Sequence, residues 1–217
     1  NRASGLNPQV IYGEDILSRI SYCSVNENGL ENMHNLIIKE INRLIRELAD
    51  SINGDISQIY DVVMVFNTVM HHIALNINPE YLGQSPFTPV TSKGLNIKSR
   101  ELGINICKGA YICSLPIEGG FVGSDNVSVL ISQEIYKQDK MLMIIDIGTN
   151  GEINFGNREG VFSTSCATGP ALEGAQIKYG MRAASGAIER VKINSMSLEA
   201  DFKVIGEDKW NNAINVG

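Results

Sequence analysis

Residues 141–156, MLMIIDIGTNGEINFG, constrain the fold of this chain more than any other stretch. Residues 141–145 form an unbroken apolar run, too short for a free helix, and read as a strand buried on both faces. The run ends at Asp146, a carboxylate at the strand's carboxyl end. Gly148-Thr149-Asn150-Gly151 then turns the chain, and alternation resumes over residues 152–155. Asn150-Gly151 is the dipeptide a tight hairpin turn requires, because both central residues take positive φ. A glycine turn after a strand exposes backbone N–H groups that can cradle a phosphate. Asp146 can hold a Mg²⁺ through water, since hard cations take oxygen ligands. A plain hairpin with a structural turn is the competing reading of the same residues.

At 217 residues the chain suits one large domain or two small ones, and its 43% hydrophobic content can fill a sizeable core. The formal charge of −6 is spread among interspersed acids and bases, with no basic patch interleaved with aromatics, which argues against nucleic acid as a partner. No apolar run approaches the ~20 residues of a membrane span. The first ten residues, NRASGLNPQV, lack the pattern of a signal peptide. Cys23, Cys107, Cys113 and Cys166 form no C-x-x-C pair, which argues against zinc or iron–sulfur ligation and for reduced thiols in a cytoplasmic protein. His34, His71 and His72 do not have metal-ligand spacing.

Along the chain the signals alternate between helix and strand. Residues 14–20 suit a short helix. From Asn28, the residues Leu30, Met33, Ile37, Ile41, Leu44 and Leu48 recur at three- and four-residue steps, an apolar helical stripe. Asn28 and Glu31 imitate a capping box, and Asn53-Gly54 stops the helix. The opposite face, with Lys39, Glu40, Arg43, Arg46 and Glu47, reads as solvated, and His34 as a surface residue. Residues 62–66, VVMVF, are a second buried-strand signature. Asn67-Thr68 and a helical VMHHIAL follow, making an α/β unit. His71 and His72 are adjacent on that helix, so one is expected packed and the other exposed. Asn78-Pro79 ends the helix, and residues 83–89 form a proline-containing loop suited to touching a partner.

Ile104, Ile106 and residues 110–115 read as one or two further strands. The glycine-rich PIEGGFVG precedes a helix from Ser124-Asp125 with Val127, Leu130, Ile131 and Ile135 on one face. Asp125 is either its N-cap or an acid lining a cleft. Residues 161–165 suit another strand, leading into a helix that has Pro170 in its first turn and stops at Gly180. The amino end of that helix can face an anion. Residues 187–193 and 202–205 read as strands. A polar break at Gln138-Asp139-Lys140 divides the chain into residues 1–138 and 139–217.

Several blocks together resemble a known family. DIGTNGEI at 146–153 resembles a phosphate motif of the acetate and sugar kinase, heat-shock chaperone and actin superfamily. ATGPALEGAQIKYGMRAA at 167–184 and GAIERV at 186–191 resemble, more specifically, the reductive activators of corrinoid enzymes. So do NTVMHH at 67–72, GFVGSD at 120–125 and NPQVIYGEDILSRI at 7–20. The resemblance implies an α/β, actin-like ATPase (ribonuclease H-like) fold of two lobes, each incomplete here. It implies ATP with Mg²⁺, and an iron–sulfur cluster outside this span. The implied work is ATP-dependent reduction of a corrinoid protein, or a corrinoid/iron–sulfur protein, from Co(II) to Co(I), driven by domain movement. Phe66 stands where the family usually has glycine, and Ser185 where it often has proline. The first phosphate motif, the adenosine motif and cluster cysteines are missing, so the chain reads as a fragment.

On this resemblance Asp146 is the Mg²⁺-side carboxylate. Gly148, Thr149, Asn150 and Gly151 contact phosphate, and Gly169 sits near the nucleotide. Asp125 and Glu173 position a water or the metal, with helix-dipole stabilisation the alternative for Glu173. Two other classes remain open: a small-molecule kinase of the same fold, and a nucleotide-gated binding module without catalysis. A bare sheet edge would also favour a homodimer. Residues 1–217 alone are expected to bind Mg-ATP weakly in calorimetry, and tight binding would contradict the two-jawed site.

Overall fold

The computed structural model describes residues 1–148, 150–168 and 185–212. By contact the chain forms two compact units. The first is Asn1–Ile144 with Ile153–Thr164, and the second is Ile145–Glu152 with Ser165–Gly217.

Two helices open the first unit. Helix α1 spans Ile16–Val25. The Asp15 carboxylate accepts the Ser18 N–H at 2.7 Å, and Ser18 Oγ accepts the Asp15 N–H at 3.1 Å. This reciprocal capping box fixes the helix start, and the Ser18 N–H holds the Asp15 carboxyl below its usual range. Helix α2 spans Gly29–Asp50. Asn28 makes no side-chain cap bond: its ψ of 22° is not the extended conformation a cap needs, so the expected box with Glu31 does not form. The buried line of α2 is Met33, Ile38, Asn42, Ile45 and Ala49. It lies one position beyond the expected stripe, whose Ile37, Ile41, Leu44 and Leu48 are half-buried flanks. Asn42 belongs to that line because its amide is satisfied, donating to Gly103 O at 2.8 Å and accepting the Asn105 N–H at 2.7 Å. Arg43 pairs with Glu40 and Glu47 on the solvent face, as expected. Gly54 N–H bonds Ala49 O at 2.8 Å and closes the helix.

The first sheet has the order β1-β3-β2, with β1 at Asp61–Met64, β2 at Leu95–Lys98 and β3 at Tyr111–Ser114. β1 runs parallel to β3, and β2 antiparallel to it. Residues 62–66 are therefore not a fully buried strand. Among the described residues β1 is an edge, and Val63 and Val65 are exposed. Ile104 and Ile106 are not strand residues. Gly103, at φ 73°, bends the chain, and Ile104 drops into a core with Ile38, Ile45, Met64, Leu102 and Ile112.

Helix α3, Thr68–Ala74, is buried at every residue. Asn67 caps it, its side chain accepting the Met70 N–H at 2.9 Å, as the sequence suggested. The helix ends before Asn78-Pro79, with Leu75 as C-cap and Asn76 at φ 58°. One side, with Val69 and Ile73, joins Ile20, Cys23, Met33 and Leu82 in a second core. Phe66 and Leu75, flanking α3, pack on the first core. Burial on all sides overturns the expected division between the histidines, since both are 0% exposed. His72 Nδ1–H donates to Thr68 O at 2.8 Å, and Nε2 accepts the Val90 N–H at 3.0 Å, which sets the tautomer. His34 is half-buried, with Nδ1 3.3 Å from Ile73 O, rather than a free surface residue.

Helix α4 spans Ser124–Gln133 with Gly123 as N-cap. Ser124 Oγ accepts the Phe66 N–H at 2.8 Å and donates to Phe66 O at 3.1 Å, fastening the start of α4 to the residues after β1. Gly123 has no room for a side chain there, because a Cβ would lie 2.6 Å from Asn67 Cα.

A second sheet has the order β4-β5-β6, with β4 at Leu142–Ile147, β5 at Asn150–Asn157 and β6 at Gly160–Ala167. Strands β7 (Ile188–Ile193) and β8 (Ala200–Val204) pair antiparallel in a third sheet. The expected strand at 141–145 exists as β4, but it is not buried on both faces: Met143, Ile145 and Ile147 are exposed. Among the described residues β4 has one neighbour, β5. An apolar run selects a strand, while its burial depends on what packs against it. The helix expected after Cys166, with Pro170, Tyr179 and Gly180, lies outside the described residues.

His71 generates a pH prediction. Its ring nitrogens have no hydrogen-bond partner among the described residues, and burial pushes its pKa down from 6.5 to about 4, with His72 adding to the effect. Above pH 6.5 both folded and unfolded chains keep it neutral. Between 6.5 and 4 only the unfolded chain takes the proton, so stability falls with pH through that window. At about 1.4 kcal/mol per pH unit, the loss reaches roughly 3 kcal/mol. Urea unfolding at pH 7.5, 5.5 and 4.5 is expected to show this loss in the native chain and a shallower one in His71→Phe. Equal slopes would contradict it.

Candidate functional site

The candidate site is built around the end of β4 and the start of β5. Asp146 is the penultimate residue of β4. It is half-buried, and among the described residues its carboxylate has no hydrogen bond or ion pair. Strand β5 begins at Asn150, so Asn150-Gly151 is not the hairpin turn that the dipeptide suggested. Gly151 does not have the positive φ that such a turn needs. The pair opens a strand because neighbouring strand β6 engages it. Cys166 Sγ donates to Gly151 O at 3.3 Å, and Thr168 Oγ1 donates to Gly148 O at 2.8 Å. Ser165 Oγ donates to Glu152 Oε1 at 3.2 Å.

The two glycines differ in their need to be glycine. A Cβ on Gly151 would lie 2.8 Å from Thr168 Cγ2 and 3.2 Å from Cys166 Sγ. Only hydrogen lets β6 approach so closely. Among the described residues a Cβ on Gly148 would meet nothing closer than Asn150 O at 3.4 Å, an ordinary contact. The Gly148 N–H is not open, however, because it donates to Asn150 O at 3.0 Å. A phosphate would accept from it only by displacing that carbonyl.

The site residues read from the sequence fall into three groups. Asp146, Gly148, Asn150 and Gly151 come together at this strand reversal, within the second unit. Thr149, Gly169 and Glu173 lie outside the described residues. Asp125 belongs to the first unit. It is not the N-cap of α4 but a first-turn acid, where the helix dipole favours a negative charge. Its N–H donates to Phe66 O at 3.2 Å, and its carboxylate accepts the Asn126 N–H at 2.9 Å. Cys166 and Thr168 were missed as neighbours of the turn. The signal was the small-residue alternation Ser163, Ser165, Ala167, which extends β6 past Ser165.

The residues fit one implied group and not another. Among the described residues no three His, Cys, Asp or Glu side chains converge on a metal position. A Mg²⁺ carried by phosphates needs only one or two carboxylates and keeps several waters, which Asp146 can satisfy. An iron–sulfur cluster does not fit. Cys23 is buried in the core, where burial pushes its thiol up to about 11. Cys107 and Cys113 are half-buried, and Cys166 is bonded to Gly151 O.

Residues 1–138 match the family described as RACo middle region. Residues 140–215 match the C-terminal domain of RACo, the ASKHA domain. The fold class is therefore α/β with an actin-like ATPase domain. The chain belongs to the RACo family. It is 34% identical over 207 residues to the corrinoid activation enzyme RamQ of Eubacterium limosum, covering 95% of this chain and 34% of RamQ. It is 34% identical over 71 residues to the [Co(II) methylated amine-specific corrinoid protein] reductase of Methanosarcina barkeri, covering 33% of this chain and 13% of that protein. Among solved structures it resembles a reductive activator for corrinoid, iron–sulfur protein at a TM-score of 0.75 and 34% identity, covering 93% of this chain and 32% of that one. The chain thus spans about a third of the length of RamQ, 34%, and a similar share of the solved activator.

The two glycines give a paired prediction. Gly151→Ala is expected to lower the melting temperature by about 2–6 °C through overpacking against Thr168 and Cys166. Gly148→Ala is expected to melt within about 1 °C of the parent, since its Cβ meets only an ordinary contact. Equal shifts in calorimetry would contradict the close approach of β6.

Proposed function

We propose that these residues are the nucleotide-responsive part of an ATP-dependent reductive activator, which returns a corrinoid protein from Co(II) to Co(I) for methyl transfer. The observation that carries this reading is the 34% identity to a corrinoid activation enzyme across 95% of the chain, in the order middle region then ASKHA domain. The solved activator supports it over a similar span. The partner is a corrinoid protein or a corrinoid/iron–sulfur protein, met in the cytoplasm. No helix of the described residues is long and apolar enough to cross a membrane.

In this reading ATP supplies binding and hydrolysis energy for a conformational change. Asp146 would hold the Mg²⁺ that accompanies the nucleotide. Gly148, Asn150 and Gly151 turn backbone N–H groups toward the phosphates, and the Gly148 N–H exchanges Asn150 O for a phosphate oxygen. Thr149, with its hydroxyl, and Gly169 complete the contacts. Asp125 and Glu173 are the acids that position a water or the metal. The cysteines here do not suit a cluster, so no electron-transfer step is assigned to this chain.

The test uses the whole protein in which these residues occur. With a low-potential donor, the Co(I) absorbance of the partner is followed with and without ATP. ATP-dependent Co(I) formation is expected, and Asp146→Asn is expected to reduce its rate about a hundredfold. Phosphate transfer to a small metabolite, or Co(I) formation that ignores ATP, would overturn the reading.

A further inference from the structure

Two buried amides face each other within the first unit, and nothing in the site described above uses them. Asn126 on α4 is 1% exposed, and Asn154 on β5 is 0% exposed. Asn126 Nδ2 donates to Asn154 Oδ1 at 3.0 Å, and Asn154 Nδ2 donates to Asn126 Oδ1 at 2.7 Å. Ser163 Oγ on β6 donates to the same Asn154 oxygen at 2.7 Å. Leucine or valine would fill such a position without the cost of burying amides. A reciprocal amide pair instead fixes direction and register. Two opposed bonds resist both sliding and rotation, where apolar contact resists neither.

What the pair joins gives it meaning. Asn126 directly follows Asp125 in the first turn of α4, and its N–H bonds the Asp125 carboxylate at 2.9 Å. That turn is fastened to Phe66 through Ser124 Oγ and the Asp125 N–H. Asn154 lies three residues beyond Gly151 on the same strand, β5. Gly151 and Asn154 share β5, which has β4 and β6 as its hydrogen-bonded neighbours.

We propose that the Asn126–Asn154 pair, braced by Ser163, is a positioning element that makes α4 follow β5, so that a nucleotide-driven shift at Gly148–Gly151 reaches the middle region. The proposal rests on the reading that phosphates bind at that turn. These asparagines touch no nucleotide. They couple hydrolysis to the work done on the partner.

The readout is the number of corrinoids reduced per ATP hydrolysed by the whole protein, together with the KM for ATP. If the parent shows no ATP dependence, the phosphate reading fails, and the asparagines are not at issue. Given ATP dependence, Asn154→Ala is expected to lower the coupling ratio about tenfold while KM stays within about threefold. Ser163→Ala removes one bond and leaves both amides in place, and is expected to lower the ratio about twofold. Asn126→Leu/Asn154→Leu replaces the pair by apolar contact and guards against misfolding, since removing both partners costs little stability. It is expected to fold and remain uncoupled. A parental coupling ratio in the double variant and in Ser163→Ala would overturn the proposal. So would a fall in hydrolysis and reduction by the same factor in every variant, as a purely structural role requires.

Discussion

The close approach of β6 to β5 at Gly151 is the constraint on which the candidate site depends. Cys166 Sγ and Thr168 Cγ2 occupy the space a side chain would need, and Cys166 and Thr168 hold Gly151 O and Gly148 O. This contact turns Asn150-Gly151 into the first residues of a strand instead of a free hairpin turn. It also determines which groups remain for a ligand. The Gly148 carbonyl is held by Thr168 and its N–H by Asn150 O, while the Asp146 carboxylate, at the end of β4, has no protein partner among the described residues. The state described is thus one in which both backbone groups of Gly148 are already engaged.

The first unit is organised by another constraint, the complete burial of α3. The helix is too short to be stable alone. It persists because Asn67 caps it, Val69 and Ile73 join one apolar core, and the flanking Phe66 and Leu75 pack on the other. His72 bridges Thr68 O and the Val90 N–H, tying the proline-containing loop to the helix. His71 has no such bridge and stays neutral, which links the stability of this unit to pH. The same helix start lies beside that of α4, through Phe66 and Ser124, so the two helix starts after β1 and β3 form one hydrogen-bonded junction.

Local chemistry was legible in the sequence, and burial was not. Asn67 as a cap, Asn53-Gly54 as a stop and 141–145 as a strand are decisions made by a few adjacent residues. The exposure of β4, the burial of both histidines and the one-position shift of the α2 buried line depend on distant partners. Asn42 shows why the shift is hard to see: a polar residue occupies the buried line only because Gly103 O and the Asn105 N–H meet it. The Asn126–Asn154 pair is invisible for the same reason, since neither asparagine differs in sequence from a surface one. At the candidate site, the place of Asp146 near the end of β4 was legible from strand-then-glycine order. The roles of Cys166 and Thr168 were not, because they depend on how far β6 runs.

Hydrogen exchange on the whole protein, with and without Mg-ATP, tests the central claim most directly. The account predicts slowed exchange at the Gly148, Asn150 and Gly151 amides, with a coupled change in the first turn of α4 around Asp125 and Asn126. Unchanged exchange at Gly148–Gly151, under conditions where ATP is bound, would place the phosphates elsewhere and contradict the account.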